Sequence, residues 1–140
     1  NLSAFFMVIY VENNYKVDSI DGWNGLGYKN LVLGFFMVLS LVSLAGLPPT
    51  SGFVGKVYLF RTLFAEQKFY WLAIVGVLNS VVSLYYYFKI VKSMYFKENE
   101  NLEVKKAHPV IFWLIVIFSA QNILFYFYWA PLYRIIEGLL

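Results

Sequence analysis

From Leu31 to Gly55 no side chain is ionisable, a run long enough to cross a bilayer, yet it contains LAGLPPTSGFVGK, Leu44 to Lys56. Pro48 and Pro49 bring no backbone N–H, and their rings clash with the preceding turn. A helix through this run must stop or unwind near Gly46 and restart near Thr50 or Ser51. In hydrocarbon every freed backbone group needs a partner, so an unwound segment is tolerated only where protein buries it or it lines a watery cavity. Lys56 follows the restart by about a turn and a half.

Composition sets the class. Hydrophobic residues make up 61% of the 140-residue chain and charged ones 14%. With a mean hydropathy of +0.65, this is too apolar for a soluble domain to hide in a core. The expected fold class is an all-α polytopic membrane protein. The chain has no cysteine and one histidine, which excludes thiolate-held iron–sulfur clusters, disulfides and a bis-histidine haem. Any electron transfer is expected in other chains. The net charge of +3 is spread over the polar segments, so it points to the lipid surface of a bilayer and not to nucleic acid.

Spans of about 20 apolar residues give the organisation. Residues 1–11 are too short to span and are expected to be the end of a truncated transmembrane helix, in a chain that is itself a fragment. Residues 12–30, with Gly22, Gly25 and Gly27, read as a loop. A discontinuous span is expected over 31–66, broken near 46–50. A second runs over 69–90 and a third over 109–133, opened by Pro109. Residues 91–108 read as a loop and 134–140 as a tail. The two longer polar segments hold Lys16, Lys29, Lys89, Lys92, Lys97, Lys105 and Lys106, against Arg61, Lys68 and Arg134 on the other side. This asymmetry places the longer segments in the cytoplasm. Phe69, Tyr70 and Trp71 at one end of the second span and Tyr85, Tyr86, Tyr87 and Phe88 at the other form interfacial aromatic belts.

Two roles compete for Lys56. It either snorkels to headgroups from an overlong span, or sits beside the break near the positive end of the restarted helix. There, as a buried lysine, it is expected to be a switchable proton-transfer site, because desolvation and the dipole disfavour its charged form. Gly52 and Gly55 offer close approach beside it, by a neighbouring helix or water, or serve ordinary small-residue packing. Thr50 and Ser51 suit capping of the restarted helix. On the second span Gly76, Asn79 or Ser80, Ser83 and Tyr86 or Tyr87 recur at helical spacing. This stripe is either glue between helices or a hydrated path through Asn79, Ser83 and Tyr86, and Gln121 and Asn122 of the third span face the same alternatives. His108 reads as a solvated loop residue. A metal site is not expected, nor a nucleophile arrangement or a phosphate-binding glycine loop.

SLAGLPPTSGFVGKVYLF, Ser43 to Phe60, and VGVLNSVVSLYYYFKIVKSMYF, Val75 to Phe96, closely resemble the N subunit family of NADH-quinone oxidoreductase, respiratory complex I, whose mitochondrial counterpart is subunit 2. The resemblance covers most of the chain. It implies an antiporter-like subunit fragment: the end of the eleventh helix and the twelfth to fourteenth of a fourteen-helix proton-translocating subunit with two inverted repeats. The family's twelfth helix is discontinuous, matching Gly46, Pro48, Pro49 and Thr50, and its proton-channel lysine matches Lys56. The family topology also puts the loops before the twelfth and fourteenth helices in the cytoplasm. The first repeat and the other ionisable residues of the family's polar axis would lie upstream. The resemblance further implies a bacterial plasma membrane, other membrane subunits as partners, and NAD, FMN, iron–sulfur clusters and quinone in partner subunits with no cofactor in this chain. Two alternatives remain open: a subunit of a multisubunit cation/proton antiporter, and a membrane scaffold without a proton role.

Overall fold

Leu31–Ala45 contains no proline and only one glycine, and Asn30 stands before it with an amide oxygen that accepts from the Leu33 N–H at 3.3 Å. Such a segment is a capped helix. The computed structural model describes residues 2–16, 19–65, 69–98 and 109–137, with the side chains of 132, 133 and 135–137 excepted. Its elements are α1 (Leu2–Tyr15), a 3-10 helix η1 (Ile20–Trp23), α2 (Leu26–Lys29), α3 (Leu31–Ala45), α4 (Ser51–Ala65), α5 (Tyr70–Phe96) and α6 (Pro109–Glu137). No strand occurs among the described residues. α5 and the stretch Pro109–Pro131 of α6 are each long and apolar enough to cross a membrane, and α3 is a shorter apolar helix that α4 follows after the interruption.

α3 is the centre of the arrangement, with α5 packed on it from one direction and α1 and α6 from another, and α4 lies against both α5 and α6. Met7, Tyr10 and Val11 of α1 share a buried apolar cluster with Leu33, Met37 and Leu41 of α3, Met94 of α5 and Ile115 of α6. Ser40 pairs with Ser119 and Ser43 with Asn122, so residue numbers rise together along the contact. α3 and α6 therefore run in the same direction, as the first and third of three successive crossings must.

Helix extends further into the polar segments than the composition suggested. The expected loop over 12–30 begins with the last turn of α1 and includes η1 and α2. There Gly25, at φ 74°, opens α2, and Gly27 lies so close to the ring of Tyr95 that a Cβ would come within 2.7 Å of it. α5 continues to Phe96, so Lys92 is a helical residue and the expected loop over 91–108 does not begin at 91. The reason is an apolar face that persists beyond the first lysine: Tyr87, Ile90, Val91, Met94 and Tyr95 all pack on the central cluster. α6 likewise runs through the expected tail to Glu137, with Pro131 inside it. Asn1, Lys68, Lys105, Lys106 and His108 lie outside the described residues.

Candidate functional site

The break is built from three local devices. Gly46 adopts φ 77°, ψ 41°, a conformation open to glycine at little cost. From there the Leu47 N–H reaches the Val42 carbonyl at 3.1 Å and the Gly46 N–H reaches the Ser43 carbonyl at 3.0 Å. This double closure is a Schellman end to α3, and it leaves the Ala45 carbonyl without a helical partner. The Pro48–Pro49 peptide is cis. The fully buried Thr50 then donates from its hydroxyl to the Leu47 carbonyl at 2.6 Å, while its own carbonyl accepts from Phe53 and Val54 as α4 begins.

Lys56 occupies the vacancy left at Ala45. Its Nζ donates to the Ala45 carbonyl at 2.7 Å, the one acceptor it has among the described residues. Gly46 makes this possible, since a Cβ there would meet the Lys56 Cδ at 2.5 Å. The tip of the side chain thus meets a second helix end that sequence reading did not anticipate. Helical side chains lean toward their own N-terminus, so the long stem of Lys56 passes the start of α4 and reaches the C-terminal end of α3, where the partial charge is negative. The side chain is half-buried, not buried, and lies in an open groove of about 240 Å³ whose far wall is Val77, Ser80 and Val81 of α5.

A second polar group crosses the break. Asn122, 8% exposed, accepts at Oδ1 from the Ser43 hydroxyl of α3 at 3.0 Å and the Ser51 hydroxyl of α4 at 2.8 Å, and its Nδ2 donates to Phe118 O at 3.0 Å. One amide thereby ties both half-helices to α6. Ser51 donates to Asn122 and Thr50 to the Leu47 carbonyl, and among the described residues neither hydroxyl oxygen accepts the backbone N–H that a side-chain cap would take. One turn away the buried hydroxyls of Ser3, Ser40 and Ser119 lie 2.6 and 3.3 Å apart in sequence, joining α1, α3 and α6. The roles of Ser40, Ser43 and Ser119 were missed by sequence reading. Their signal was the three-residue spacing of Ser40 with Ser43 and of Ser119 with Asn122 in otherwise apolar runs.

The remaining expected residues separate. Gly52 lies against the backbone carbonyl of Ser43, which a Cβ would strike, whereas a Cβ on Gly55 would meet nothing within 4 Å, so the expected close approach is made at Gly52 alone. On α5 the stripe divides because Asn79 and Ser80 are about 100° apart around the helix. Gly76 faces the Phe60 ring and Ser80 lines the Lys56 groove. Asn79 and Tyr86 are exposed, and Ser83 donates to the Asn79 carbonyl at 2.9 Å. No direct hydrogen bond among the described residues joins Asn79, Ser83 or Tyr86 to Lys56. Gln121 is exposed at a cavity it shares with Ser51 and Asn122.

Residues 1–83 match the family described as NADH:quinone oxidoreductase/Mrp antiporter, TM. The chain belongs to this membrane family. Subunit N 2 of NADH-quinone oxidoreductase from Chloroherpeton thalassium is 47% identical over 102 residues, which is 72% of this chain and 20% of that protein. Its namesake from Sorangium cellulosum is 38% identical over 136 residues, 95% of this chain and 27% of the relative. NAD(P)H-quinone oxidoreductase subunit 2 of Prochlorococcus marinus is 41% identical over 117 residues, covering 83% and 23%. The chain thus spans about a fifth to a quarter of the length of these quinone oxidoreductase relatives. As a member of the oxidoreductase and antiporter family it is a helical membrane protein, and the interrupted α3–α4 pair with Lys56 lies within its matched region.

Proposed function

We propose that this chain belongs to the proton-translocating membrane part of a redox-driven NADH-quinone oxidoreductase, and that Lys56 takes up and releases a proton there. The observation that carries the reading is the Lys56 ammonium bonded across the helix break to Ala45. A charged amine strengthens that bond, and a neutral one loses the charge assistance. The protonation state of Lys56 is in this way coupled to how firmly α4 is held to the end of α3. With one acceptor among the described residues, the ammonium keeps donors for water entering from the groove beside Ser80. Redox energy comes from partner subunits holding NAD, FMN, iron–sulfur clusters and quinone, and reaches Lys56 through neighbouring membrane subunits. The lysine-rich ends face the cytoplasm of a bacterial plasma membrane that the whole subunit crosses several times.

The names of the relatives support the redox assignment over the antiporter one, and copurification separates the two. Quinone reductase activity with flavin-bearing and iron–sulfur partners is expected, whereas sodium/proton exchange without redox partners would establish the antiporter. For Lys56 the test is Lys56→Ala in the full-length subunit within its assembled complex. Loss of proton pumping with normal assembly is expected. Pumping that survives in a normally assembled complex removes the role.

A further inference from the structure

We infer that the pocket between η1 and the last turns of α5 binds the phosphate of an anionic membrane lipid. The site depends on the membrane placement of α5 and not on the proton role of Lys56. The uncharged stretch from Phe69 to Phe88 has a helical length of about 30 Å at 1.5 Å per residue, the thickness of a bilayer's hydrocarbon core. Lys89 and Lys92 therefore emerge at headgroup level. They line a cavity of about 590 Å³ together with Lys97, Asp21, Tyr85 and Phe88. Three ammonium groups face one carboxylate, and that carboxylate is already committed to Lys97 at 2.9 Å. Neither Lys89 nor Lys92 forms an ion pair among the described residues, and Lys89 acts on Asp21 only at longer range.

The pocket has a firm back wall and an apolar floor. The Ser93 hydroxyl, buried on α5, lies 2.8 Å from the Ile20 carbonyl and 2.6 Å from Asn24 Oδ1, which holds η1 against the helix. On the membrane side Tyr85 and Phe88 are 68% and 60% exposed, one turn closer to the bilayer centre than the lysines. Cations above and outward-facing rings below suit a phosphodiester with acyl chains. A free phosphate would use only the upper half. A basic pocket beside a transmembrane helix gains about 1 kcal/mol per lysine from an anionic lipid surface, which is roughly fivefold in binding for each.

The experiment uses the full-length subunit in its assembled complex, reconstituted with photoreactive phosphatidylglycerol, and reads labelling of the segment 85–97. Labelling is expected in the unmodified complex, displaced by phosphatidylglycerol and not by phosphatidylcholine or inorganic phosphate. Lys89→Gln with Lys92→Gln is expected to weaken phosphatidylglycerol competition by more than tenfold, while the two Arg replacements retain it. Equal displacement by phosphatidylcholine, displacement by inorganic phosphate, or no labelling of this segment overturns the proposal. So does protection of both lysines from an amine reagent in the delipidated complex, which would show that a protein segment covers them. Because the main arms use the unmodified complex, a variant that fails to assemble leaves the proposal open to refutation.

Discussion

Gly46 and Lys56 are two halves of one device. The glycine supplies the left-handed turn that ends α3, and its missing Cβ leaves the room through which the lysine stem passes. Gly46→Ala is expected to cost roughly 1–2 kcal/mol for the left-handed backbone alone, and more as the new methyl displaces the Lys56 Cδ. Gly55→Ala, inside α4 where nothing lies within 4 Å, is expected instead to stabilise by roughly 0.5–1 kcal/mol, because alanine is the better helix former. Thermal inactivation midpoints of the assembled complex would show the contrast, and equal shifts for both variants would contradict it. Sequence reading located Gly46 and Lys56 correctly as neighbours of a break. It did not anticipate the contact with the end of α3, because it used sequence distance to Thr50, while a long side chain acts where its tip lies.

η1 is tied to α5 by one exposed ion pair in addition to the Ser93 bonds. The Lys97 ammonium, bonded to the exposed Asp21 carboxylate, holds that carboxyl below its ordinary value of 3.8, and Lys89 adds to the effect. A carboxyl lowered by folding contributes its stabilisation above the unfolded value and loses it as pH falls through the lower folded one. The attachment of η1 to α5 is therefore expected to be intact at neutral pH and to loosen only below about pH 3.8. Amide exchange at Gly22 and Asn24, whose N–H groups bond within the turn, would read this, and Asp21→Asn should remove the pH dependence. Exchange that is independent of pH in the unsubstituted protein, after correction for intrinsic rates, would show that Ser93 alone holds the turn. Ser93 and Tyr95 also explain why residues 12–30 are not a simple loop. Gly27, one of the glycines that signal a turn by composition, serves here to seat the Tyr95 ring from a helix far along the chain.

For the whole molecule the decisive feature is the polar seam between α3 and α6. Buried hydroxyl and amide groups in lipid-facing bundles contribute about 0.6 kcal/mol per bond in measured cases, so the seam sets register more than it adds stability. Since the chain contains no cysteine, Ser40→Cys with Ser119→Cys is expected to form a disulfide readily under mild oxidation. Ser40→Cys with Asn79→Cys is not, because Asn79 faces outward on α5. Gel mobility of the oxidised subunit distinguishes the pairs. Failure of the first pair to cross-link would overturn the contact of α3 with α6 at Ser40 and Ser119.

The amino-acid sequence by itself determined that the chain is helical and membrane-bound, that the uncharged run breaks between Gly46 and Thr50, and that a lysine follows. Those conclusions rest on local chemistry: apolar content, the missing donors of Pro48 and Pro49, and the conformational freedom of Gly46. Only the tertiary structure decided what Lys56 touches, which members of the α5 stripe face the site, and that Asn122 joins the two half-helices. Each of these depends on the rotation of one helix about its axis relative to another. That angle is set by the packing of Met37, Leu41, Met94 and Ile115 in a common core, and no single segment contains it.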